Sequence, residues 1–186
     1  MQFLMTHRGF SLVESLVAIT ILTTAIGAPM FAVNSGLQSA RWAKNEVIAY
    51  YLAQEAVEGL RFLRDNAILS NEPPFSRFIS CVGPGVGPEK KCSIDEQNLD
   101  TGPSYGMNEC IGACPVLKFD PTANRYGYQS GNETVFRRDV FMQETHQAPP
   151  GTTREVRVRV VVSWSDKGTS RAVTVAEVLD AILIAL

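Results

Sequence analysis

The residue with the clearest chemical potential is Glu14, a single carboxylate at the head of a long uncharged run. No Asp, Glu, Lys or Arg occurs between Glu14 and Arg41. A charge at that place in an apolar helix is costly, so an ionisable residue inside a membrane segment indicates a function and a partner. If the chain were cut between Gly9 and Phe10, Phe10 would carry a free α-ammonium group. The same group on a neighbouring copy would be that partner.

Four cysteines form the second set of residues that could do chemistry. Four cysteines permit three pairings, and the sequence alone does not choose among them. Proximity favours Cys81 with Cys92 and Cys110 with Cys114, and such bridges would stabilise short loops by restricting the unfolded chain. The alternative is a zinc site, which usually takes pairs of thiolates roughly two to four residues apart. Only Cys110 and Cys114 come near that spacing, which favours disulfides in an exported region.

Patterns for catalysis, cofactors and nucleic acid are missing from the sequence. It contains no P-loop, no dinucleotide fingerprint and no Ser-His-Asp arrangement. The two histidines, His7 and His146, are too far apart in context to suggest a pair. A formal net charge of -2 gives no reason to expect a nucleic-acid surface. We therefore predict a protein that is not an enzyme, with no catalytic residue, metal or cofactor.

The elements that must position Glu14 begin with a helix. Residues 1–9 are predicted to be a leader too short to be structure, and residues 10–33 to be a membrane span, since about 20 apolar residues suffice. Gly27 and Pro29 lie within the span and predict a kink, because proline removes a backbone donor. Residues 34–66 are predicted to continue as an amphipathic helix with an Arg61–Asp65 pair on its solvent side. Its apolar face, spaced by four, four, four and three residues, consists of Ile48, Leu52, Ala56, Leu60 and Leu63.

Beyond the helix the pattern changes twice. Residues 67–115 are predicted to be a long irregular region, because the Gly- and Pro-rich segment 83–88 can hold neither a helix nor a central strand. Residues 116–186 are predicted to form an antiparallel head, most clearly at 155–164, where valines alternate with polar residues. Helical spacing of apolar residues from Val175 to Leu186 predicts a short C-terminal helix. The arginines predicted to lie on a solvated sheet face are Arg137, Arg138, Arg157 and Arg159.

This order of elements predicts an α+β fold. An antiparallel sheet has one apolar face that must be covered, and the second half of the long helix supplies a matching apolar face. The expected architecture is therefore a long N-terminal helix, spanning a membrane in its first half, with its second half packed on a C-terminal antiparallel sheet.

The N-terminal pattern resembles that of type IV pilins and type II secretion pseudopilins, in which a leader ends in Gly and is followed by Phe, three residues, Glu and an apolar helix. Gly9, Phe10 and Glu14 fill those places. Residues 50–65 also resemble the same helix in minor pilins and pseudopilins of the pilus-modification type. The resemblance implies that a prepilin peptidase cuts after Gly9 and N-methylates Phe10, and that Glu14 neutralises the new amine of an adjacent subunit. It also implies a pilin-like fold and a helix that loosens on assembly near Gly27 and Pro29.

The function that the resemblance implies is that of a structural, minor subunit of a type IV pilus or pseudopilus. Its partners would be other subunits, the prepilin peptidase, the inner-membrane assembly platform and, before assembly, membrane lipid. It would lie in the inner membrane with its N-terminus inside and then in an extracytoplasmic filament. Residues 71–115 are where specificity is expected, since binding residues concentrate on loops. The sequence does not decide whether the filament is a pilus or a secretion pseudopilus. It also does not decide among adhesion, motility and DNA uptake.

Two other functions remain open from the sequence. A single-pass membrane-tethered binding protein that never polymerises explains the apolar run equally well. An ordinary secreted protein, cut near Ala28, would use the run as a signal sequence and could be an enzyme. The mature N-terminus separates the three functions.

Overall fold

The computed structural model describes residues 11–84, 88–99, 104–148, 152–166 and 168–181. Gly9 and Phe10 lie outside these residues, as do 182–186. The chain divides into two compact units, the first ending at Lys44 and the second beginning at Asn45. One helix, α1 (Leu12–Leu69, 58 residues), contributes to both units.

The start of α1 is set by a hydroxyl cap. The backbone N–H of Glu14 donates to Oγ of Ser11 at 3.2 Å, which satisfies one of the N–H groups that a helix leaves unpaired in its first turn. Further along, the hydroxyls of Thr20, Thr23 and Thr24 donate to backbone carbonyls three or four residues earlier. These polar groups are therefore satisfied inside the helix, as an apolar surrounding requires.

The end of α1 is set by an asparagine in the left-handed region. Asn71 has φ of 58°, and its N–H donates to the carbonyl of Ile68 at 3.0 Å while the N–H of Glu72 donates to that of Ala67 at 2.9 Å. This pair of bonds is a Schellman motif, which closes the last turn. The helix thus runs slightly beyond Asn66, where the sequence had predicted its end.

Within the described residues, seven strands form one antiparallel sheet. The long strand β5 lies at its centre. On one side β5 pairs with β3 near its start and with β1 further along; on the other side it pairs with β6, which pairs with β7. Strand β4 lies outside β3, and β2 lies outside β1. The strand bounds are β1 Lys90–Ile94, β2 Met107–Glu109, β3 Val116–Asp120, β4 Arg125–Gly127, β5 Asn132–Ala148, β6 Thr152–Asp166 and β7 Thr169–Asp180.

The core of the second unit lies between α1 and one face of the sheet, which confirms the predicted α+β fold. Alternate residues of β6, from Val156 to Trp164, are buried, as the period-two pattern predicted. Small residues of α1 allow close approach: a Cβ at Gly59 would meet Cδ1 of Ile94 at 3.1 Å. The buried residues of α1 are Ala49, Leu52, Ala53, Ala56, Val57, Gly59, Leu60, Leu63 and Ala67.

The prediction that residues 67–115 are irregular is wrong. Within them lie 3₁₀ turns at Ser76–Cys81 and Glu96–Asn98 and the strands β1 and β2. Strand β1 has only five residues, too few for a clear alternation, and it is positioned by tertiary contacts. Its Cys92 lies opposite Val140 of β5 and is disulfide-bonded to Cys81.

The prediction of a C-terminal helix is also wrong for the described residues, which end at Ala181. Residues 175–180 belong to β7, in which Val175 lies opposite Val160 and Leu179 opposite Val156. Pairing along the whole of β7 satisfies the backbone in the sheet, and this outweighs apolar spacing that also fits a helix. The rest of the predicted helix lies outside the described residues.

The predicted Arg61–Asp65 pair on α1 does not form. Arg61 donates instead to Glu58 at 2.6 Å and to Glu177 of β7 at 2.5 Å, and Asp65 pairs with Arg64 at 2.8 Å. The Arg61 guanidinium pairs with Glu177 on the sheet, a partner that the helix pattern alone could not reveal.

Candidate functional site

Glu14 lies exposed in the first turn of α1. The helix dipole favours a carboxylate there, but no cation within the described part of the chain comes within ion-pair distance of it. Gly9 and Phe10, the predicted cleavage and methylation site, lie outside the described residues. Among the described residues, Glu14 therefore has no cationic partner.

The surface around Glu14 is apolar and exposed. In the first unit the described residues expose large apolar side chains all around α1. Among the described residues, α1 is the one helix that is long and apolar enough to cross a membrane. So much exposed apolar surface requires lipid or another apolar surface as a partner. The exposed large side chains are Leu12, Val13, Leu16, Val17, Ile19, Ile21, Leu22, Ile26, Met30, Phe31, Val33 and Leu37.

Gly27 and Pro29 lie inside α1, which continues through them. Proline has no N–H to donate to the carbonyl of Ala25, one turn earlier. A Cβ at Gly27 would meet no atom within 4 Å. Both the kink and the loosening on assembly therefore stay predictions.

The structure joins the four cysteines in two disulfides of different character. Cys81–Cys92 is buried and ties a 3₁₀ turn to β1. Cys110–Cys114 closes a small loop beside β2, with Ile111 at its tip fully exposed. Disulfide sulfurs are not the thiolates that zinc needs. No group of His, Cys, Asp and Glu among the described residues is arranged to hold a metal.

Arg138 is the residue that the sequence interpretation missed. Its side chain is 1% exposed, so the prediction that it lies on a solvated face is wrong. Nη1 donates to the carbonyl of Leu52 at 3.0 Å, and Nη2 donates to the carbonyl of Ile94 at 2.7 Å and to Oε2 of Glu96 at 2.6 Å. Glu55 lies 3.5 Å from Nη1. The guanidinium thus ties α1 to the end of β1 from its place on β5.

A signal for this burial was present in the sequence. Side chains of a strand alternate between faces, and Arg138 shares parity with the buried Phe136 and Val140, whereas Arg137 does not. Parity alone would have placed the two arginines on opposite faces of the sheet.

The charges around Arg138 compensate each other. Burial is the largest single influence and lowers the pKa of Arg138, but Glu96, Tyr128 and Glu55 together outweigh it, and the net shift of the pKa is upward. Burial raises the pKa of Glu96, and the Arg138 guanidinium opposes that rise. Burial likewise raises the pKa of Tyr128, whose ring centroid lies 6.0 Å from the guanidinium. Arg138 therefore stays positively charged, and its hydrogen-bond acceptors all belong to the same chain. This arrangement fits a residue that stabilises the fold.

Comparison with known proteins adds one finding to this geometry. Residues 4–28 match the family model described as the prokaryotic N-terminal methylation motif. Neither a curated protein nor a solved structure matches the chain. The matched residues include Gly9, Phe10 and Glu14, the set singled out from the sequence.

The motif has consequences for processing and location. It implies other pilin subunits as partners and processing by a prepilin peptidase. It also points to a structural subunit rather than an enzyme. Together with the apolar helix it supports a membrane-anchored protein. The methylation motif at residues 4–28, followed by a long helix packed on an antiparallel sheet, supports a prepilin of the type IV pilin or pseudopilin type.

Proposed function

We propose that the chain is a minor subunit of a type IV pilus or pseudopilus, assembled by packing of the apolar half of α1 with Glu14 paired to the Phe10 amine of a neighbour. One observation carries this proposal. Glu14 is exposed among apolar side chains, and no described residue of its own chain offers it a cation. A carboxylate left unpaired in such surroundings costs several kcal/mol, by order of magnitude. The ammonium group of another copy offsets that cost.

Processing creates the partner group. A prepilin peptidase removes the leader 1–9 by cutting after Gly9 and N-methylates Phe10. The subunit waits in the inner membrane with its N-terminus inside and residues 10–33 in the lipid. The assembly platform then moves it into an extracytoplasmic filament, where neighbouring helices replace lipid around the apolar surface.

The charge pair also fixes how far neighbours are displaced. If the Phe10 amine of one copy lies level with Glu14 of the next, the two helices are offset by four residues. At the rise of an α-helix this is an axial step of about 6 Å. A single carboxylate in an otherwise uncharged segment thus selects one register among many that apolar packing would allow.

Substitution of Glu14 by Gln tests this proposal, because it removes the charge and retains the size. We expect the variant to be cleaved normally and to remain in the membrane, but not to enter filaments. Filament incorporation is measured by shearing, pelleting and immunoblotting. The matched control is Glu46→Gln, which removes an exposed carboxylate elsewhere on the same helix and is expected to assemble normally. Normal incorporation of Glu14→Gln would defeat the charge-pair mechanism.

A membrane-tethered binding protein that does not polymerise is the second candidate. It is favoured by a cleft of about 640 Å³ in the second unit, between α1 and the β3–β4 turn. Tyr51 and Tyr126 line it with the carboxylates of Glu55 and Glu58 and with Arg125. The aromatic rings and carboxylates are suited to a cationic group. For this candidate Met1 would remain on the membrane-bound protein and Glu14→Gln would have no effect on location.

A further inference from the structure

Among the described residues, strand β7 is a long and unpaired edge of the sheet. The other two edge strands, β2 and β4, have three residues each, whereas β7 has twelve. It pairs with β6 in an unbroken register, contains no proline, and pairs with no other described strand. The outward N–H and C=O groups of such an edge are a template for another strand. Proteins usually blunt edges of this kind with a bulge, a proline, a short length or charged side chains. Of these, β7 has only the charges of Arg171, Glu177 and Asp180.

The sequence of β7 is self-complementary. Residues 171–177 read Arg-Ala-Val-Thr-Val-Ala-Glu, which is a palindrome around Thr174 apart from opposite charges at its ends. In an antiparallel pair with a two-fold axis at Thr174, Arg171 of each copy lies opposite Glu177 of the other. Valine then faces valine and alanine faces alanine. Opposite charges and β-branched pairs across strands are both stabilising.

The side chains of this segment also lie on suitable faces. Val173 and Val175 lie opposite Val162 and Val160 of the core and are half-buried at the edge. Pairing with a second β7 would cover them and extend the valine rows of the sheet. Nε and Nη2 of Arg61 both donate to Oε1 of Glu177, so Oε2 can accept from a second guanidinium.

From this edge we propose that β7 pairs antiparallel with β7 of a second copy, with Thr174 on the two-fold axis. The second unit fixes the relative direction of the helices. Arg61 of α1 contacts Glu177, and Nη1 of Arg64 lies 3.4 Å from the carbonyl of Asp180. This part of α1 therefore runs in the same direction as β7. The two-fold axis makes the corresponding helix segments of the two copies antiparallel.

The orientation decides where the contact can form. Subunits of one filament have parallel helices, so the β7 pair joins copies in two filaments that lie side by side with opposite polarity. Only this placement rests on the proposed function. The pairing itself concerns the second unit and does not require Glu14.

A cysteine on the two-fold axis tests the pairing in the full chain purified in detergent with its native disulfides intact. Opposed residues of antiparallel strands have Cα atoms about 4.5–5.5 Å apart, within the range that a disulfide bridges. We expect Thr174→Cys to give a disulfide-linked dimer under mild oxidation. The control Ser170→Cys lies on the same face but four residues from the axis, about 27 Å from its twin. No dimer of Thr174→Cys above the level of Ser170→Cys would overturn the proposal.

Charge reversal gives an independent measurement. Arg171→Glu places like charges opposite each other twice, and we expect the dimer dissociation constant to rise about tenfold. An equal mixture of Arg171→Glu and Glu177→Arg restores two opposite-charge pairs in the heterodimer, so we expect the heterodimer to form more tightly than the homodimer of either variant. Unchanged dimerisation of Arg171→Glu would contradict the pairing. Glu14→Gln is expected to leave this dimer unaffected, which separates the failure of this inference from the failure of the assembly mechanism.

Discussion

The two compact units each place one charged side chain in apolar surroundings, and they compensate it differently. In the second unit, Arg138 is buried and has acceptors on α1, at the end of β1 and on Glu96. In the first, Glu14 lies on an exposed apolar helix and has no cation among the described residues of its own chain. A charge that the chain satisfies itself serves folding. A charge at an apolar surface that has no cation among the described residues is the basis on which we propose a partner from another copy.

The same contrast divides α1. From Ala49 onward it buries one face of small and branched residues against the sheet, and this face fixes its position. Up to Leu37 it exposes apolar side chains all around. One element therefore has a half that packs on the chain's own sheet and a half whose exposed apolar surface is suited to lipid or to other helices.

Replacing Arg138 by Met should have the largest effect on this contrast. The variant retains volume but leaves the Glu96 carboxylate buried without its cation, and breaking such a pair costs about 3–5 kcal/mol. The free energy of unfolding, measured by urea titration in detergent, checks this value.

The control for Arg138→Met is Arg137→Met, its neighbour on the opposite face of β5. Because that side chain is only partly buried, the change should stay within about 0.5 kcal/mol. An equal loss of unfolding free energy in the two variants would contradict the distinction between the buried Arg138 and the partly exposed Arg137.

Removing the buried disulfide should be next in size. The pair Cys81→Ser and Cys92→Ser opens a loop of sequence separation 11, for which the loop-entropy relation gives about 3 kcal/mol. The pair Cys110→Ser and Cys114→Ser opens a separation of only 4 and should cost about 2 kcal/mol by the same relation. Urea midpoints of the two double variants rank the bridges. The reverse ranking would contradict the position of Cys81 and Cys92 in the core.

A leucine in place of a glycine should distinguish the two halves of α1. Gly59→Leu introduces side-chain atoms where even a Cβ would lie 3.1 Å from Ile94, and overpacking of this kind costs about 1–3 kcal/mol. Gly36→Leu has no atom within 4 Å of the new Cβ and gains helix propensity, so it should not lower stability. Thermal unfolding of both variants makes the comparison, and equal destabilisation would show that the first half is packed within the chain.

The smallest expected effect is an acid dependence at the β3–β4 turn. The hydroxyl of Ser130 and the N–H groups of Ala123 and Thr122 bond the carboxylate of Asp120 and lower its pKa from about 3.8. A lowered pKa contributes stability that is present above about 3.8 and is lost as the pH falls through the folded value. Asp120→Asn should therefore lower the urea midpoint at neutral pH and lose that difference in acid. A difference that grows in acid would have the wrong sign.

Much of the architecture could be predicted because it depends on local periodicity. The uncharged run, the apolar face from Leu52 to Leu63, and the alternation of β6 each show one repeating pattern over many residues, and the structure agrees with them. The elements that could not be predicted depend on distant contacts. Strand β1 owes its place to Cys81 and β5, and the end of β7 owes its extended form to pairing with β6.

The sites divide in the same way. Glu14 could be identified from the sequence because the feature that marks it is local: it is a lone charge next to an apolar run. Arg138 was missed because its partners, Leu52, Ile94 and Glu96, are more than forty residues away along the chain. Only strand parity pointed to it.

Mass spectrometry of the membrane-extracted protein tests the central claim most directly, because the Phe10 amine that we propose as the partner of Glu14 is free only if the chain begins at Phe10. We expect a mature chain that starts with N-methylated Phe10. A chain that retains Met1, or one that starts near Pro29, would contradict it and would leave Glu14 without the amine that the assembly mechanism requires.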